Sequence, residues 1–405
     1  MEGLQRLADF VPLAGRAYAA ERNYDDGAGR HTSVSRLSPY IRHRLITESE
    51  TVQAVLRVHS QAAAEKFIQE VCWRTYWKGW LEHRPEVWAN YLGEVAVQRA
   101  RLERDGAAAA HIEQAERGDT AITCFDAWAH ELTSTGYLHN HARMWFASIW
   151  IFTLKLPWEL GADFFLRHLL DGDPASNTLS WRWVAGLQTR GKTYLARADN
   201  INRYTNGRFQ PGPHGLAAFA EPLDEDQLPE ISPLRSADVV QKGQRAVLLL
   251  TEEDLAPETW PLADVDVFGV ALLVPDDRGL DYSPAVRAFK AGAMSDAFDR
   301  AAARWRQPVL KVAHSHELVR FAAERGATAV VTSLVPVGFV RPLIDTWATD
   351  CVPARVTLIQ VARRWDSEFW PQAKGGFFKL KERIPATLAK LELAERQLTL
   401  FERSS

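Results

Sequence analysis

The sequence predicts an α + α/β protein, in which an all-helical domain is followed by a smaller α/β domain with a five-stranded, mostly parallel sheet. Three observations support this fold class. Residues 45–205 repeat apolar side chains at helical spacing, without strand-like alternation. Residues 210–245 contain five prolines and an acidic cluster, which indicates a linker or a wrapping loop. Beyond this stretch, short β-branched runs alternate with helical patterns, which is typical of a parallel sheet covered by helices on both faces.

The helical domain is predicted at residues 1–209. Its clearest helix start has Thr47 and Glu50 in the spacing of a capping box, at the beginning of a long run with helical periodicity. The segment "FDAWAHELTSTGYLHNHARMWFASIWIFTLKL" predicts two helices that separate near 134–136, and "ELGADFFLRHLL" predicts another.

The α/β domain is predicted at 246–362, after a linker at 210–245. Its strands are expected at 246–251, 265–274, 308–313, 328–333 and 354–361. No glycine-rich nucleotide fingerprint follows any of these strands. The remaining residues, 363–405, are predicted to form a C-terminal segment, in which "FFKLKERIPATLAKLELAERQLTLFER" ends the chain as one long amphipathic helix.

Composition narrows the function classes. The net charge of −3 gives no global case for nucleic-acid binding. The three cysteines lie far apart and form no C-x-x-C pair, which argues against a disulfide framework, and no metal site is predicted. The first residues lack the pattern of a signal peptide, and no apolar run is long enough to span a membrane. We therefore expect a cytoplasmic, monomeric protein without a membrane partner.

Tryptophan is unusually concentrated in the helical domain. Ten of the 15 tryptophans lie between positions 73 and 183. A large helical core with indoles at its wet edges explains this density. An aromatic-lined ligand site or an electron relay explains it equally well in chemical terms, although density alone favours the core.

One predicted helical face combines aromatic and charged side chains. Glu70, Trp73, Arg74 and Trp77 share one face at i, i+3, i+4 and i+7. Buried charges need partners, so this face either borders a polar ligand or holds an internal ion pair, and the spacing leaves both open. In "LLDGDPASNTLSWRWVAG", two tryptophans two positions apart point about 200° from each other on a helix. We therefore expect them to serve different surfaces.

Three motifs in this order, "VSRLSPY", "GYLHNHARM" and "LLDGDPASNTLSWRW", resemble the flavin-binding domain of the DNA photolyase/cryptochrome family. The resemblance spans roughly residues 24–205 and implies FAD as the cofactor. In the family an α/β domain normally comes first, whereas here the α/β segment follows, so an antenna chromophore is not inferred.

The resemblance implies a role for each matched residue around FAD. The diphosphate and ribose would be held by Tyr24, Ser35, Arg36, Leu37, Ser38 and Arg74. Phe67 stands where the family often has tryptophan. The isoalloxazine would be surrounded by Asn140, Arg143, Phe165, Asp171, Asp173 and Asn177, with Asn177 facing flavin N5.

The resemblance also implies a pocket for damaged DNA. Glu70, Trp73, Met144 and Trp183 match the residues that hold a flipped-out cyclobutane pyrimidine dimer. Asn140 stands where (6-4) photolyases carry histidine, which favours the cyclobutane-dimer type. Trp181 and Trp158 match the first two members of the photoreduction relay. The third tryptophan is missing near Asp105, so the relay would leave through Trp145 or Trp150, or photoreduction would be slow.

UV-damaged DNA is the expected partner, whether single- or double-stranded. The basic stretch after the last motif supplies candidate phosphate contacts, namely Arg182, Arg190, Lys192 and Arg197. Three functions are compatible with this pattern. The first is light-dependent repair of cyclobutane pyrimidine dimers by a deoxyribodipyrimidine photo-lyase. The alternatives are a cryptochrome-like blue-light photoreceptor without repair and a flavin-containing module that binds nucleic acid without repair.

Overall fold

The structure, a computed structural model, describes residues 2–212, 215–224, 227–262, 265–274 and 280–393. The first part of the chain is helical. Its helices are α1 (Glu2–Phe10), α2 (Arg16–Glu21), α3 (Ser38–Arg42), α4 (Glu48–Leu56), α5 (Glu65–Glu82), α6 (Glu86–Leu102), α7 (Gly106–Arg117), α8 (Thr123–Thr135), α9 (Asn140–Ser148), α10 (Trp158–His168), α11 (Pro174–Val184) and α12 (Ala198–Tyr204). A π-helical turn, Ile149–Thr153, follows α9. The capping box at Thr47 and Glu50 is present, and Gly136 ends α8 in a left-handed conformation, as the sequence predicts.

The second part of the chain contains a five-stranded sheet. Its elements are β1 (Gln244–Leu250), β2 (Val265–Leu273), α13 (Pro284–Trp305), β3 (Val309–Val312), α14 (Ser315–Glu324), β4 (Ala329–Ser333), α15 (Arg341–Cys351) and β5 (Thr357–Val361). The strand order is β3-β2-β1-β4-β5, and every neighbouring pair is parallel. The predicted strands and the predicted fold class are therefore confirmed.

Alternation along β1 explains why helices cover both faces of the sheet. Val247 and Leu249 pack in one apolar cluster with α14 and α15. Leu248 and Leu250 belong to the opposite cluster, together with α13. Because successive side chains of a strand point to opposite faces, an uninterrupted apolar run is buried on both.

The C-terminal segment packs on the helical part rather than on the sheet. It forms α16 (Arg364–Phe369), α17 (Phe377–Lys381) and α18 (Ile384–Lys390). Side chains from all three helices belong to the apolar core of the helical part. We propose to count this segment with the helical domain.

The expectation of one long amphipathic helix in this segment is wrong for the described residues. Pro385 lies in the first turn of α18, where its missing N–H is tolerated. A proline at this point cannot continue the preceding helix, so the segment bends between α17 and α18. The predicted helix beyond residue 393 lies outside the described residues.

Residues 210–245 have no helix or strand in their described part before β1, in agreement with a wrapping loop. Backbone hydrogen bonds fix this loop at several points, from Leu223 to Ala185 and from Ser232 to His83 (2.8 Å). Within the described residues, no helix combines the length and apolarity needed to cross a bilayer.

A buried ionic interface joins the two parts of the chain. Arg42, at the end of α3, donates hydrogen bonds from both terminal nitrogens to the carboxylate of Glu253, at 2.7 and 2.8 Å. Glu253 follows β1 in the chain. Asp254 accepts from Arg363 at 2.6 and 2.7 Å. Arg44 reaches Asp254 at 3.3 Å and also bonds Asp366. The carboxyl end of β1 is therefore held against the helical part.

Candidate functional site

A cavity of about 500 Å³ lies within the helical part. It is formed by the segment 34–38, by one face each of α5 and α9, by Phe165 of α10 and by α11. The structure brings together along this cavity most residues singled out by the motifs, namely Ser35, Arg36, Leu37, Ser38, Phe67, Glu70, Trp73, Arg74, Asn140, Arg143, Met144, Phe165, Asp171, Asn177, Trp181 and Trp183.

One wall of the cavity carries paired charges. Arg143 contacts Asp171 at 3.1 Å and anchors its own Nε on the carbonyl of Leu138. Arg74 lies 3.6 Å from the same carboxylate. Burial alone would raise the pKa of Asp171, but the charges of Arg143 and Arg74 outweigh it and lower the pKa. Asp171 is therefore an anion that orients two arginines at the cavity wall.

The segment that carries Ser35 to Ser38 adopts an uncommon backbone conformation. Arg36 has φ of 53°, in the left-handed region that non-glycine residues rarely occupy. The guanidinium of Arg36 lies 5.7 Å from the ring centre of Tyr137, and that of Arg143 lies 5.8 Å from it. Backbone strain of this kind clusters at ligand-binding segments.

Helix α11 is held in place from its first turn. Asp173 caps it by accepting a hydrogen bond from the Ser176 amide at 2.7 Å. Burial would raise the pKa of Asp173, but Lys78, Arg42 and Arg74 lower it strongly. The Asn177 amide donates to the carbonyl of Ala162 at 2.8 Å, which fixes its orientation at the cavity.

Another part of the cavity lining combines a carboxyl group with aromatic rings. Glu70 accepts a hydrogen bond from Arg22 at 2.7 Å. Burial raises the pKa of Glu70, and the charge of Arg22 opposes this. Trp73 stacks on Phe377 of α17 with ring centres 3.6 Å apart and planes at 13°. Trp183 contacts Tyr194 at 5.6 Å.

The two tryptophans of α11 both line the cavity, so the expectation that they serve different surfaces is wrong. Two positions on a helix differ by about 200° when counted in one direction around the axis. Counted in the other direction, the two side chains are separated by about 160°. Ser176, Ser180 and Val184 fall within this arc and also line the cavity. Trp181 and Trp183 therefore stand at the two edges of one broad face.

Some motif residues lie outside the cavity lining. Tyr24 packs edge-on against Tyr204 at 5.2 Å. Asp173 is buried behind the wall, where it caps α11. Asp105 caps α7 by accepting from the Ala108 amide. Trp158 packs against Tyr91 with ring centres 5.6 Å apart.

The prediction that Arg182 contacts DNA phosphate is wrong. Its side chain is only 2% exposed, and its guanidinium lies 6.0 Å from the ring centre of Trp158. A basic stretch in the sequence does not separate the inner from the outer face of a helix. Arg190, Lys192 and Arg197 are exposed, although Arg197 pairs with Asp199.

Aromatic rings continue from the cavity wall into the core. Trp181 meets Trp150 with ring centres 6.2 Å apart. Gly161 permits this approach, because a Cβ there would lie 2.4 Å from the Trp181 ring. A second row runs from Trp158 through Tyr91 to Trp88, at 5.6 and 5.3 Å.

Sequence reasoning missed several cavity residues, namely Tyr18, Arg22, Asn23, Tyr137 and Ser180. The position of Tyr137 inside the motif "GYLHNHARM" could have indicated it. Arg22 gave no signal, because its pairing with Glu70 spans 48 residues of sequence.

A buried polar cluster that the sequence did not predict supports the segment leading to Ser35. The ligand-type atoms of Asp25, His31 and Glu131 lie within 4.8 Å of one another. His31 Nε2 is 2.6 Å from Glu131. Asp25 accepts from Trp128 at 2.9 Å and pairs with Arg208 at 2.8 Å, so its charge already has a partner.

A cavity of this volume, with arginines, an amide and a carboxylate on one wall and indoles on another, defines a cofactor-binding domain of the helical class. Residues 67–209 match the family model described as the FAD binding domain of DNA photolyase. Residues 67–209 of the helical part are thus similar to the FAD-binding domain of DNA photolyases.

Relatives named deoxyribodipyrimidine photo-lyase match the same part of the chain. The protein from Streptomyces griseus is 34% identical over 194 residues, which are 45% of this chain and 40% of that protein. The Thermus thermophilus protein is 32% identical, over 47% of this chain and 44% of that protein. The Escherichia coli protein is 25% identical, over 47% and 40%. The matched region thus spans about 40% of the length of these curated relatives.

Two solved structures are also similar. The bacterial class III photolyase from Agrobacterium tumefaciens gives a TM-score of 0.42 at 25% identity, over 50% of this chain and 42% of that one. The Synechocystis cryptochrome gives 0.39 at 22% identity, over 51% and 43%.

Proposed function

We propose that this protein repairs cyclobutane pyrimidine dimers in DNA in a light-dependent reaction. One observation carries the proposal: a single cavity is lined both by the residues matched to FAD binding and by Glu70, Trp73, Met144 and Trp183. A flavin and a flipped-out pyrimidine dimer can react only if both occupy one site.

The chemistry of the polar wall fits FAD. Arg74 Nη1 is buried without a hydrogen-bond partner among the described residues, and the carboxylate of Asp173 lies 3.8 Å from it. Arg74 and Ser35 to Ser38 would hold the diphosphate, while Arg143, Asp171 and Asn177 would hold the ring system. A bound, reduced FAD would supply, after light absorption, the electron that splits the dimer, and the electron would return to the flavin, so the overall reaction would be redox-neutral.

The second wall suits the dimer. Because burial raises the pKa of Glu70, its carboxyl group is easier to protonate than usual and can hydrogen-bond a base edge. The rings of Trp73 and Trp183 replace the stacking that the extruded bases lose. Met144 adds an adaptable apolar surface beside them.

Trp181 would supply electrons to the cavity from the protein side. Its contact with Trp150 favours an exit through Trp150 over one through Trp145, which stacks instead on His141 and Trp128. Trp181→Phe should slow photoreduction of the bound flavin, followed by absorbance under blue light, and leave dimer affinity unchanged.

The direct test mixes the purified protein, loaded with reduced FAD, with an oligonucleotide that contains one dimer. Blue light should restore the intact pyrimidines, and a dark sample should not. No repair on either single- or double-stranded substrate would sink the proposal.

A photoreceptor with the same flavin site is the principal rival. Lesion affinity separates the two functions, because a pure receptor has no preference for damaged DNA. Trp183→Ala should abolish most of the difference in affinity between dimer-containing and undamaged DNA. A wild-type protein that shows no such difference would favour the photoreceptor.

A further inference from the structure

An exposed phenylalanine lies beside the cavity. Helix α17 begins with two phenylalanines that have opposite environments. Phe377 is buried against Trp73, which lines the cavity. Phe378 is 74% exposed, and its ring centre is 6.4 Å from that of Phe377. An exposed aromatic ring therefore lies one ring away from a residue of the cavity wall.

Exposed cations flank this ring. Lys374 and Lys379 lie on either side of it along the chain, and both are exposed. Among the neighbouring charges, Lys381 pairs with Glu65 at 3.4 Å, and Glu382 is the exposed acid.

A second group of cations comes from the loop after α11. Arg190 and Lys192 are exposed in the turn that follows Trp183. Tyr76 connects this loop with the C-terminal segment. Its hydroxyl donates to the carbonyl of Gly375 at 3.0 Å, and it also hydrogen-bonds Gln188. Tyr76 of α5 therefore links the two basic loops, three positions from the cavity residue Trp73.

We propose that Lys374, Phe378 and Lys379 form, with Arg190 and Lys192, a surface that binds DNA around the extruded dimer. In this surface, which we call the rim, Phe378 stacks on a base next to the lesion and the cations bind phosphates. The proposal rests on the function proposed above and adds the C-terminal segment to the DNA-binding surface.

The chemistry favours DNA over a second copy of this chain. In a two-fold dimer the rim would face itself, and its cations would repel one another. Extruding a dimer leaves neighbouring bases with an unstacked face, which an aromatic side chain covers without regard to sequence. Lysines on both sides of Phe378 hold the backbone through charge alone, which also requires no sequence.

The test compares three rim variants with two controls elsewhere on the surface. The variants are Phe378→Ala, Phe378→Trp and the double change Lys374→Ala with Lys379→Ala. Val352→Ala removes an apolar side chain that is 68% exposed on the α/β domain, and Lys242→Ala removes an exposed cation before β1. Affinity for a fluorescent duplex with one dimer is measured at several salt concentrations.

Phe378→Ala should weaken binding roughly tenfold without changing the salt dependence, and Phe378→Trp should restore it. The lysine double variant should reduce the slope of log affinity against log salt by about 2, near 0.9 for each lost phosphate contact. Both controls should stay within about twofold of the wild type.

Two results would overturn the rim proposal. In the first, Phe378→Ala and the lysine double variant bind the lesion as tightly as the wild-type protein, and the wild-type protein repairs it. This result would leave the proposed function intact. The other is a wild-type dimer in sedimentation that Phe378→Ala dissociates, because the ring would then serve self-association. A wild-type protein that neither binds nor repairs the duplex overturns the proposed function itself.

Discussion

Two charge clusters of similar composition have opposite surroundings in this molecule. The cavity cluster consists of Arg74, Arg143 and Asp171, and it borders an open space of about 500 Å³. The interface cluster consists of Arg42, Arg363, Glu253 and Asp254. It is buried between the helical part and the carboxyl end of β1.

The different surroundings of the two clusters show where this fold leaves space for a ligand. In open parallel sheets, ligands bind beyond the carboxyl ends of strands where the strand order reverses. Here β1 lies at that reversal, between β2 and β4. The acids after β1 are nevertheless satisfied by arginines of this chain, with paired hydrogen bonds at 2.6 to 2.8 Å. The cavity cluster, by contrast, borders open space, and the Arg143 side chain is 23% exposed there.

The largest expected effect is on the interface cluster. Asp254→Asn should lower the free energy of unfolding by about 3–5 kcal/mol, because it leaves buried arginine charge uncompensated. Urea unfolding followed by tryptophan fluorescence measures this loss. Asp345→Asn is the matched control, since its side chain is 50% exposed and its pairs with Arg235 and Arg341 should contribute about 1 kcal/mol or less. Equal losses in the two variants would contradict a structural role for the interface cluster.

The next effect concerns packing behind the cavity wall. Gly161→Ala should destabilise the protein by about 1–3 kcal/mol, since the new Cβ would overlap the Trp181 ring. Gly93→Ala, in the exposed middle of α6, meets no atom within 4 Å and should stabilise by up to about 1 kcal/mol. Thermal unfolding of both variants checks the opposite signs.

A pH effect should come from the interface. Burial, with the charge of Arg42, lowers the pKa of His43 to about 3. Between pH 6.5 and 3 the unfolded chain therefore binds a proton that the folded protein does not, so stability falls as the pH falls. Below pH 6 the loss approaches about 1.4 kcal/mol per pH unit. His43→Gln should flatten the dependence measured by urea unfolding from pH 7 to 4.5. The part that remains includes His139, whose pKa burial also lowers to about 3.

The cavity cluster should affect flavin binding more than stability. Asp171→Asn should lower the stability of the FAD-free protein by less than Asp254→Asn does, because the Arg143 side chain that loses its partner is 23% exposed at the cavity. The same change should weaken FAD binding about tenfold or more, since it releases the arginine that Asp171 orients. Flavin titration monitored by fluorescence measures the affinity. A large stability loss with unchanged flavin affinity would reverse the contrast between the two clusters.

Much of the fold could be predicted from local sequence patterns. The apolar runs of the strands, the capping box at Thr47 and Glu50, and the break at Gly136 are local features that tertiary contacts did not override. The one long helix expected at the C-terminus is divided into α17 and α18, because Pro385 in the first turn of α18 cannot extend the preceding helix.

The site was predictable where motifs group its residues along the chain, and not where distant segments meet. The inner position of Arg182 could not be predicted, because charge in a sequence does not tell which face of a helix it occupies. Nor could the pairing of Arg22 with Glu70 or the stacking of Phe377 on Trp73.

Periodicity and side-chain chemistry along the chain are enough to predict the element types, the change from helical to α/β patterns and the polar and aromatic residues available to the cavity. Tertiary packing makes Glu253 and Asp254 buried partners of arginines rather than parts of a ligand site. It also decided that Trp181 and Trp183 border one cavity and that α17 lies beside it. Such contacts depend on long-range packing, which joins residues up to about 300 positions apart and leaves no local pattern to read.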